Sequence, residues 1–286
     1  MPGARGSIDR RRLGIALREL RTARNIKPSD VNKHTGWSES KVSRMERGLV
    51  PINPADLRTL IQLYEVKDQA LMDSLLALAS GSRGRDWWHR FSDVIPRQFS
   101  TYLGFEAVAA SVHTYELAVV PGLLQTPAYA RALVDAVGDA ATEEEADRRV
   151  EARMYRQQIL QGEDAPRLHA IVDEGVLHRA VGGPRVLHDQ LAHMGDIAQR
   201  TNVIVQVVPF EAGAHSAVEG GFIILRFADA ASGDVVSVDL RTRSLYLDNA
   251  AEVAAYRDAW ESVLAVAATP ADSQRMIMAA AEGVKQ

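Results

Sequence analysis

The chain of 286 residues is long enough for two domains, and its 47% hydrophobic content is typical of a globular protein. It has no cysteine, which excludes disulfides, thiolate nucleophiles and thiolate metal ligands. No stretch approaches the ~20 apolar residues of a membrane helix, and no apolar segment follows the basic N-terminus as it would in a signal peptide. We therefore expect a cytoplasmic protein that does not enter a membrane.

The charge is divided unequally along the chain. The net formal charge is −4, but residues 1–50 hold twelve Arg or Lys and five Asp or Glu, a net of +7. The remaining residues therefore carry −11. A basic head on an acidic body is typical of a nucleic-acid-binding module joined to a domain of another kind.

The first helix is expected to begin near Ser7 or Asp9. Leu13, Leu17 and Leu20 recur at helical spacing and predict one buried face. The arginines around this face are expected to be mostly solvated, with some reaching phosphates. They are Arg10, Arg11, Arg12, Arg18, Arg21 and Arg24.

Residues 27–48 predict a helix, a tight turn and a second helix. Pro28 suits the first turn of the first helix, and Gly36 permits the left-handed residue that a sharp turn needs. Ser38 is a good N-cap for the second helix, and Gly48 is placed to end it.

The second helix of this pair has the composition of a DNA recognition helix. Val42 and Met45 stand three residues apart and are expected to be buried together. The remaining surface then carries hydroxyl, ammonium and guanidinium groups, which read base edges and hold phosphates. These candidate DNA-binding residues are Ser38, Ser40, Lys41, Ser43, Arg44 and Arg47.

Two roles are expected among the candidates. Ser40, Lys41 and Arg44 are predicted to read base edges, because the N-terminal part of a recognition helix reaches the groove floor. Arg47, together with Arg24 from the first helix, is predicted to hold phosphate. The alternative is a helical hairpin whose basic face is solvated and binds no DNA.

Two more helices complete the predicted head. Asn53 and Pro54 open a fourth helix, and a fifth runs from about Asp68 to Ala79. We therefore predict an all-α, five-helix DNA-binding domain at residues 1–80. Small polar residues at 81–86 predict a linker.

The rest of the chain, residues 87–286, predicts a mixed domain and hence an α+β fold overall. Helices are expected at 95–110, from 127, 142–161, 184–200, 249–267 and 271–283. Strands are expected at 111–117, 168–172, 203–208, 222–227 and 235–240, with a possible strand at 244–247. Four arginines on the helix that starts at Thr142 predict a surface rich in ion pairs. They are Arg148, Arg149, Arg153 and Arg156.

The second domain has no recognisable catalytic or metal-binding motif. It lacks a dinucleotide fingerprint, a phosphate loop, a nucleophile elbow and a zinc-protease motif, and no histidine pair has ligand spacing. We therefore predict no enzyme activity, no cofactor and no metal.

Two polar segments are the best candidates for a ligand site. One follows a strand and contains Asp173, Glu174, His178 and Arg179. The other is a loop with Glu211, His215 and Glu219. If the segments meet, they line a pocket, because strand ends and loops are where ligand sites gather. Tyr115 and Gln125 are the neighbours expected on this pocket hypothesis. The favoured interpretation is that the polar residues cap helices and pair on the surface.

The helix pair resembles the lambda-repressor-like, XRE-type helix-turn-helix regulators. The matching residues are Gly36, Ser38, Lys41, Val42, Ser43, Arg44, Glu46 and Gly48. Two departures occur: Lys27-Pro28 stands where Ser-Gln is usual, and Asn25 stands where Gly is common.

Four later segments resemble the C-terminal domain of WhiJ-like actinobacterial regulators, a domain without an assigned function. They are TYEL with VPGLLQT at 114–126, VDEGVLHR at 172–179, VQVVPFEAGAH at 205–215 and the WW pair near 87. The resemblance implies a transcriptional regulator in development that acts with a small protein from a neighbouring gene.

Three functional hypotheses follow. The first is a DNA-binding regulator whose second domain senses a ligand or binds a small protein. The second is an antitoxin-like module that neutralises a small protein, and the third is a DNA-tethered enzyme that uses Glu174 with His178 or His215. Since one head covers only a half-site, we expect a homodimer on double-stranded DNA.

Overall fold

The computed structural model describes residues 4–80, 87–91, 93–95, 97–138, 140–228, 233–241 and 244–284. It divides into two compact units. Unit 1 comprises Met1–His89 and Ser100–Val108, and unit 2 comprises Arg90–Phe99 and Ala109–Gln286. The predicted linker, 81–86, lies outside the described residues, and the predicted domain limits stay predictions.

The N-terminal part of unit 1 is helical, as predicted. Its helices within residues 4–80 are α1 (Ala4–Ala23), α2 (Pro28–Thr35), α3 (Glu39–Glu46), α4 (Pro54–Leu63) and α5 (Gln69–Ser80). Helix α1 begins several residues before the predicted start. The leucine stripe packs inward, with Leu13 and Leu17 fully buried and Leu20 packed against the same core.

The predicted helix ends of the head have the expected geometry. Gly36 has a φ of 72°, in the left-handed region that favours glycine. The Oγ of Ser38 accepts a hydrogen bond from the Lys41 N–H at 3.2 Å and so caps α3. Asn53 caps α4 in the same way, by accepting from the Asp56 N–H at 2.8 Å.

Unit 2 is built on a sheet whose described strands lie in the order β3-β2-β1-β4-β5-β6. The strands are β1 (Ser111–Glu116), β2 (Arg167–Asp173), β3 (Val203–Val208), β4 (Phe222–Arg226), β5 (Val235–Asp239) and β6 (Ser244–Leu247). Strands β1, β2 and β3 pair in parallel, and β4, β5 and β6 continue the sheet with antiparallel pairing. The α+β prediction is confirmed.

The helices of unit 2 are α7 (Pro127–Val137), α8 (Glu143–Arg156), α9 (Gly175–His178), α10 (Pro184–Ile197), α11 (Ala250–Val266) and α12 (Pro270–Gly283), of which α9, α11 and α12 contact strands β2, β5 and β3. A further helix, α6 (Arg97–Glu106), belongs to unit 1 from Ser100 onwards. The α8 helix stops before the predicted end, because its last turn tightens into the 3₁₀ segment Gln157–Leu160. On one face of the sheet, Trp260 and Val263 of α11 pack with Tyr115 and Ile171 in a hydrophobic core.

The outer edge of β3 is covered by the connection between α11 and α12. The Val207 N–H donates to the Ser273 Oγ at 2.9 Å, and the Val207 carbonyl accepts from the Ala268 N–H at 2.8 Å. Gln206 adds a bond from its side-chain amide to the Ala268 carbonyl at 2.8 Å. These bonds satisfy backbone groups that an edge strand would otherwise leave unpaired. Among the described residues, no helix has the length and apolar character needed to cross a bilayer.

Candidate functional site

Helix α3 has one buried face and one exposed polar face. Val42 and Met45 are each only 2% exposed and pack into the core of unit 1. The exposed side chains on the rest of the helix and its ends are Ser38, Ser40, Ser43, Arg44 and Arg47, together with the acidic Glu39 in the first turn. This arrangement agrees with the predicted recognition surface, while the DNA contacts themselves stay predictions. We call the five residues Ser38, Ser40, Ser43, Arg44 and Arg47 the α3 polar face.

Lys41 is held by neighbours within unit 1. Its Nζ lies 3.1 Å from the Asp56 Oδ2 and 4.0 Å from the centroid of the Trp37 ring. The ion pair and the cation–π contact give its ammonium two partners before any DNA arrives. Its predicted role as a base reader would require exchanging these contacts for a base edge.

Arg24 lies at the end of α1 and is exposed. Its guanidinium donates to the carbonyls of Leu20 at 3.3 Å and Glu65 at 3.1 Å. Asn25, next in the chain, has a φ of 56°, in the left-handed region that favours glycine. Asn tolerates this left-handed conformation better than most residues.

Arg21 was expected on the solvated face, and this prediction is wrong. Its residue exposure is 8%, and its Nε and Nη2 donate to the two carboxylate oxygens of Glu46 at 2.5 and 2.9 Å. The hydrogen bond to Glu46 raises the pKa of Arg21. A third bond goes to the Ile26 carbonyl at 2.7 Å. Arg21 lies one helical turn after the buried Leu17, but its partner Glu46 is 25 residues away, so the sequence did not single it out.

Gly14 lets α1 approach the C-terminal end of α3 closely. A Cβ at this position would lie 2.6 Å from the Glu46 carbonyl oxygen and 2.7 Å from that of Met45. Both atoms belong to the backbone, so neither can move aside as a flexible side chain would. Gly14 was not singled out from the sequence, because helical periodicity does not show where two helices approach so closely that only glycine fits.

In unit 2, the two predicted polar segments do meet. The Glu174 Oε2 accepts a hydrogen bond from the Phe210 N–H at 2.7 Å. The His178 ring stacks beside Phe210 with 6.1 Å between centroids, and its Nε2 lies 3.6 Å from the Glu174 Oε1. Tyr115 reaches His215, with 3.1 Å between its hydroxyl and the Nε2. Burial and the Asp173 carboxylate raise the pKa of Tyr115 to about 12, so its hydroxyl is protonated.

Gln125 contacts a different set of residues from the one expected. Its side chain is buried, donates to the Val120 carbonyl at 2.7 Å and accepts from Arg153 at 2.8 Å. The prediction that it borders Glu174 and His178 therefore has no support in its contacts. Arg179 is exposed. Burial raises the pKa of Tyr129, and the charge of Arg179 partly opposes this rise.

The arginines of α8 are only partly the ion-paired surface that was expected. Arg148 pairs with Asp93 at 3.1 Å and Arg149 with Glu145 at 2.8 Å. Arg153 instead bonds the amide oxygen of Gln125, and burial followed by the nearby Arg156 lowers its pKa to about 10.

A cavity of about 590 Å³ opens beside Glu174 and His178. Its walls come from the α9 region, the start of α10 and the C-terminal half of α12. They are Glu174, Leu177, His178, Ala180, Pro184, Leu187, Met276, Ala279, Ala280, Gly283 and Val284. The volume lies in the range of small-molecule pockets. The α12 wall was not anticipated, since nothing in the sequence places the end of the chain against residues 174–178.

Among the described residues, no group of three or more His, Asp or Glu side chains is arranged to hold a metal ion. The predictions that the chain uses no metal and no cofactor remain predictions.

The comparisons with known proteins agree with this architecture. A helix-turn-helix domain model matches residues 12–75, which contain α2 and α3. The fold and the α3 polar face define a helix-turn-helix protein, a class of DNA-binding regulators. The model described as "Domain of unknown function (DUF5753)" matches residues 99–279, more than half of the chain, and the chain belongs to this family. No curated protein and no solved structure matches the chain.

Proposed function

We propose that the protein is a sequence-specific transcriptional regulator that binds double-stranded DNA through α3. The observation that carries the proposal is the α3 polar face. It presents two guanidinium groups and three hydroxyls on a helix whose opposite side is fixed in the core by Val42 and Met45. A rigid helix with such a face fits the major groove and can read base edges there.

Different roles are assigned to the two arginines of this face. Arg44 is exposed and has the planar fork that bonds two acceptors of guanine at once. Arg47 lies at the C-terminal end of α3, and its Nε donates to the Ser43 carbonyl at 3.3 Å, so we assign it to phosphate. Ser40 and Ser43 supply shorter hydrogen-bonding groups. Lys41 is assigned to positioning, because it links α3 to Asp56 on α4.

The proposal predicts that Arg44→Ala relaxes sequence preference. Loss of a guanine contact costs about 1–3 kcal/mol, or roughly a 5- to 150-fold weaker Kd on the preferred site. The site is first selected from a random duplex pool with the full chain, and affinities are then measured by gel shift. The matched control is Arg200→Ala, which removes the same charge from an exposed position of unit 2. An unchanged Kd for Arg44→Ala on the selected site refutes the assignment.

We further propose that the chain binds DNA as a homodimer. One helix-turn-helix covers a half-site, so two heads are needed for a near-palindrome with half-sites about 34–36 Å apart. Sedimentation of the full chain with the selected duplex tests this proposal: two chains per duplex are expected, and one chain per duplex contradicts it.

Unit 2 is assigned to a binding role rather than to catalysis. Its task is to sense a ligand or to bind a small protein from a neighbouring gene, and the latter is compatible with the net charge of −9 on residues 90–99 and 109–286. The Glu174 Oε2 is committed to the Phe210 N–H, which favours an orienting role over general-base chemistry. Co-purification with the neighbouring gene product tests the partner alternative, including the antitoxin-like one. Turnover of a nucleotide or amino-acid substrate that Glu174→Ala abolishes would instead support an enzyme.

A protein that binds chromosomal DNA must be in the same compartment as that DNA, so the proposed function is compatible with the expected cytoplasmic location. A part in actinobacterial development is proposed on the WhiJ-like resemblance alone.

A further inference from the structure

We propose that the cavity between α9, α10 and α12 binds a small molecule with an apolar body and a cationic head group. This assignment gives a ligand class to the sensing role of unit 2. It rests on the proposed function only for its regulatory consequence, because binding to the cavity can be measured without DNA.

The body of the ligand is defined by the walls. Most lining residues are aliphatic, and among them Leu177 and Leu187 are buried while Met276 and Val284 are partly exposed. Ala279, Ala280 and Gly283 line the side formed by α12. Because these residues are small, they leave open a part of the cavity that larger side chains would fill. An apolar molecule of moderate size would shield these walls from water, which favours binding in proportion to the area covered.

The head group is defined by Glu174 at the polar end. One carboxylate oxygen accepts the Phe210 N–H, which fixes the orientation of the side chain. The other oxygen lies 3.6 Å from the His178 Nε2, beyond a hydrogen bond, and so keeps acceptor capacity. The Glu174 side chain is 20% exposed, so a bound ammonium would meet a partly desolvated carboxylate. Charge-assisted hydrogen bonds of this kind are stronger than neutral ones.

The electrostatic environment selects a cation over an anion. The lining residues include no Lys or Arg. The last turn of α12 forms part of the wall, and a helix C-terminus carries partial negative charge. The N-terminus of α10 also lines the cavity and carries partial positive charge, but Pro184 removes one of the N–H groups that an anion could use there. Beside the cavity, Phe210 is 61% exposed and stacks on His178, offering an aromatic face that can also contact a cation.

The test uses probes that differ only in the head group. Octylammonium, octanol and octanoate are titrated into the full chain without DNA by isothermal titration calorimetry. Saturable binding of octylammonium at one site per chain is expected, with a Kd at least tenfold below that of octanoate. Equal affinities for the three probes, or no saturable binding of the amine, would overturn the proposal.

Two variants locate the site. Glu174→Gln keeps an acceptor for the Phe210 N–H and is expected to weaken amine binding at least tenfold. Ala280→Leu fills the cavity and is expected to abolish binding of amine and alcohol alike. The matched control is Glu282→Gln, which removes an exposed acidic charge from α12 outside the cavity wall. A Glu282→Gln effect equal to that of Glu174→Gln, or an unchanged affinity in Ala280→Leu, contradicts the assignment.

DNA binding is measured on the same samples by gel shift without amine. A protein that binds DNA but not the amine refutes the cavity proposal alone, and one that binds the amine but not DNA refutes the proposed regulator alone.

Discussion

Arg21 and Glu46 join two helices of the head through a buried ion pair. Each side chain is 9% exposed, and the two bonds form a bidentate contact between α1 and the last residue of α3. Removing one partner from such a pair leaves the other charge buried without compensation, which is more costly than losing an exposed salt bridge. Glu46 therefore contributes to the recognition helix by holding it in place and not by facing DNA.

A second set of polar residues, here half-buried, lies on the sheet of unit 2. His113 and His169 are register partners on β1 and β2, and their rings pack against Trp260 at 4.9 and 5.0 Å between centroids. Burial, and then the charge of Arg226, lowers the pKa of His113 from 6.5 to about 4. Burial lowers the pKa of His169 as well, against opposing effects of its bond to Gln206 and of Glu261.

These shifts predict a pH-dependent stability difference. Between pH 6.5 and about 4 the unfolded chain binds a proton at His113 that the folded chain does not, so His113 destabilises the fold as pH falls through this window. Replacement by Phe, which keeps a ring beside Trp260, is expected to remove that loss. Urea unfolding of wild type and His113→Phe is compared across the window.

The quantity to follow with pH is the difference in the free energy of unfolding between wild type and His113→Phe. Burial raises the pKa of Glu116 to about 7, which stabilises the fold as pH falls from 7 to 4.5 and opposes the histidine effect in the wild type. A constant difference between wild type and His113→Phe would count against the prediction.

At the scale of elements, the packing of α1 on α3 positions the α3 polar face. The approach is close enough that Gly14 faces the backbone carbonyls of Met45 and Glu46. Together with the Arg21 ion pair, this contact fixes the C-terminal end of α3. A substitution in α1 can therefore disturb DNA binding without touching the α3 polar face.

Gly14→Ala is expected to destabilise the head by about 1–3 kcal/mol, the usual cost of overpacking. This reverses the normal trend, because Gly→Ala inside a helix otherwise stabilises by roughly 0.5–1 kcal/mol. The free energy is measured by thermal unfolding, and DNA affinity should fall in parallel. The control is Gly195→Ala in α10, where the nearest atoms are the side-chain ends of Met278 and Gln274. If Gly14→Ala stabilises the chain, the packing argument is wrong.

Local sequence signals predicted most of these elements. Ser38, Asn53 and Gly36 placed helix ends in the head, because capping and left-handed turns depend on adjacent residues. The β-branched run at 203–208 predicted the observed bounds of β3. The strand order could not be predicted, since pairing of β1 with β4 joins Tyr115 to Phe222, more than a hundred residues apart.

The candidate sites were predicted unevenly for the same reason. The polar residues of α3 follow from helical periodicity within one short segment. Arg21 could not be separated from the other arginines of α1, because its partner Glu46 lies 25 residues later. Gln125 looked like a pocket neighbour, but its contacts with Arg153 depend on how α8 packs. The cavity required α12 to lie beside α9, which periodicity does not specify.

At the scale of the whole molecule, the charge distribution governs how the chain meets DNA. The +7 of residues 1–50 attracts phosphate, while the −11 of the remaining residues repels it. Residues 1–50 are therefore expected to contact DNA before the rest of the chain does. Binding should weaken steeply with salt, because each phosphate contact releases condensed counterions.

Arg47→Ala tests this electrostatic contribution. If Arg47 holds a phosphate, its loss should weaken binding to all sequences alike and reduce the slope of log Kd against log salt by about one. Fluorescence anisotropy over a salt series measures the slope on the selected and on a scrambled duplex. Arg200→Ala is again the control, with an unchanged slope expected. A selective loss on the preferred duplex would instead assign Arg47 to base reading.

The covered edge of β3 restricts how two copies of the chain can associate. A continuous intermolecular sheet across β3 would first require the bonds of Val207 to Ala268 and Ser273 to break. Within the described strands, the opposite border is β6, which has a paired neighbour only on its β5 side. Strand addition between subunits would therefore use β6, and a dimer formed on the β3 side would have to be built from helix surfaces.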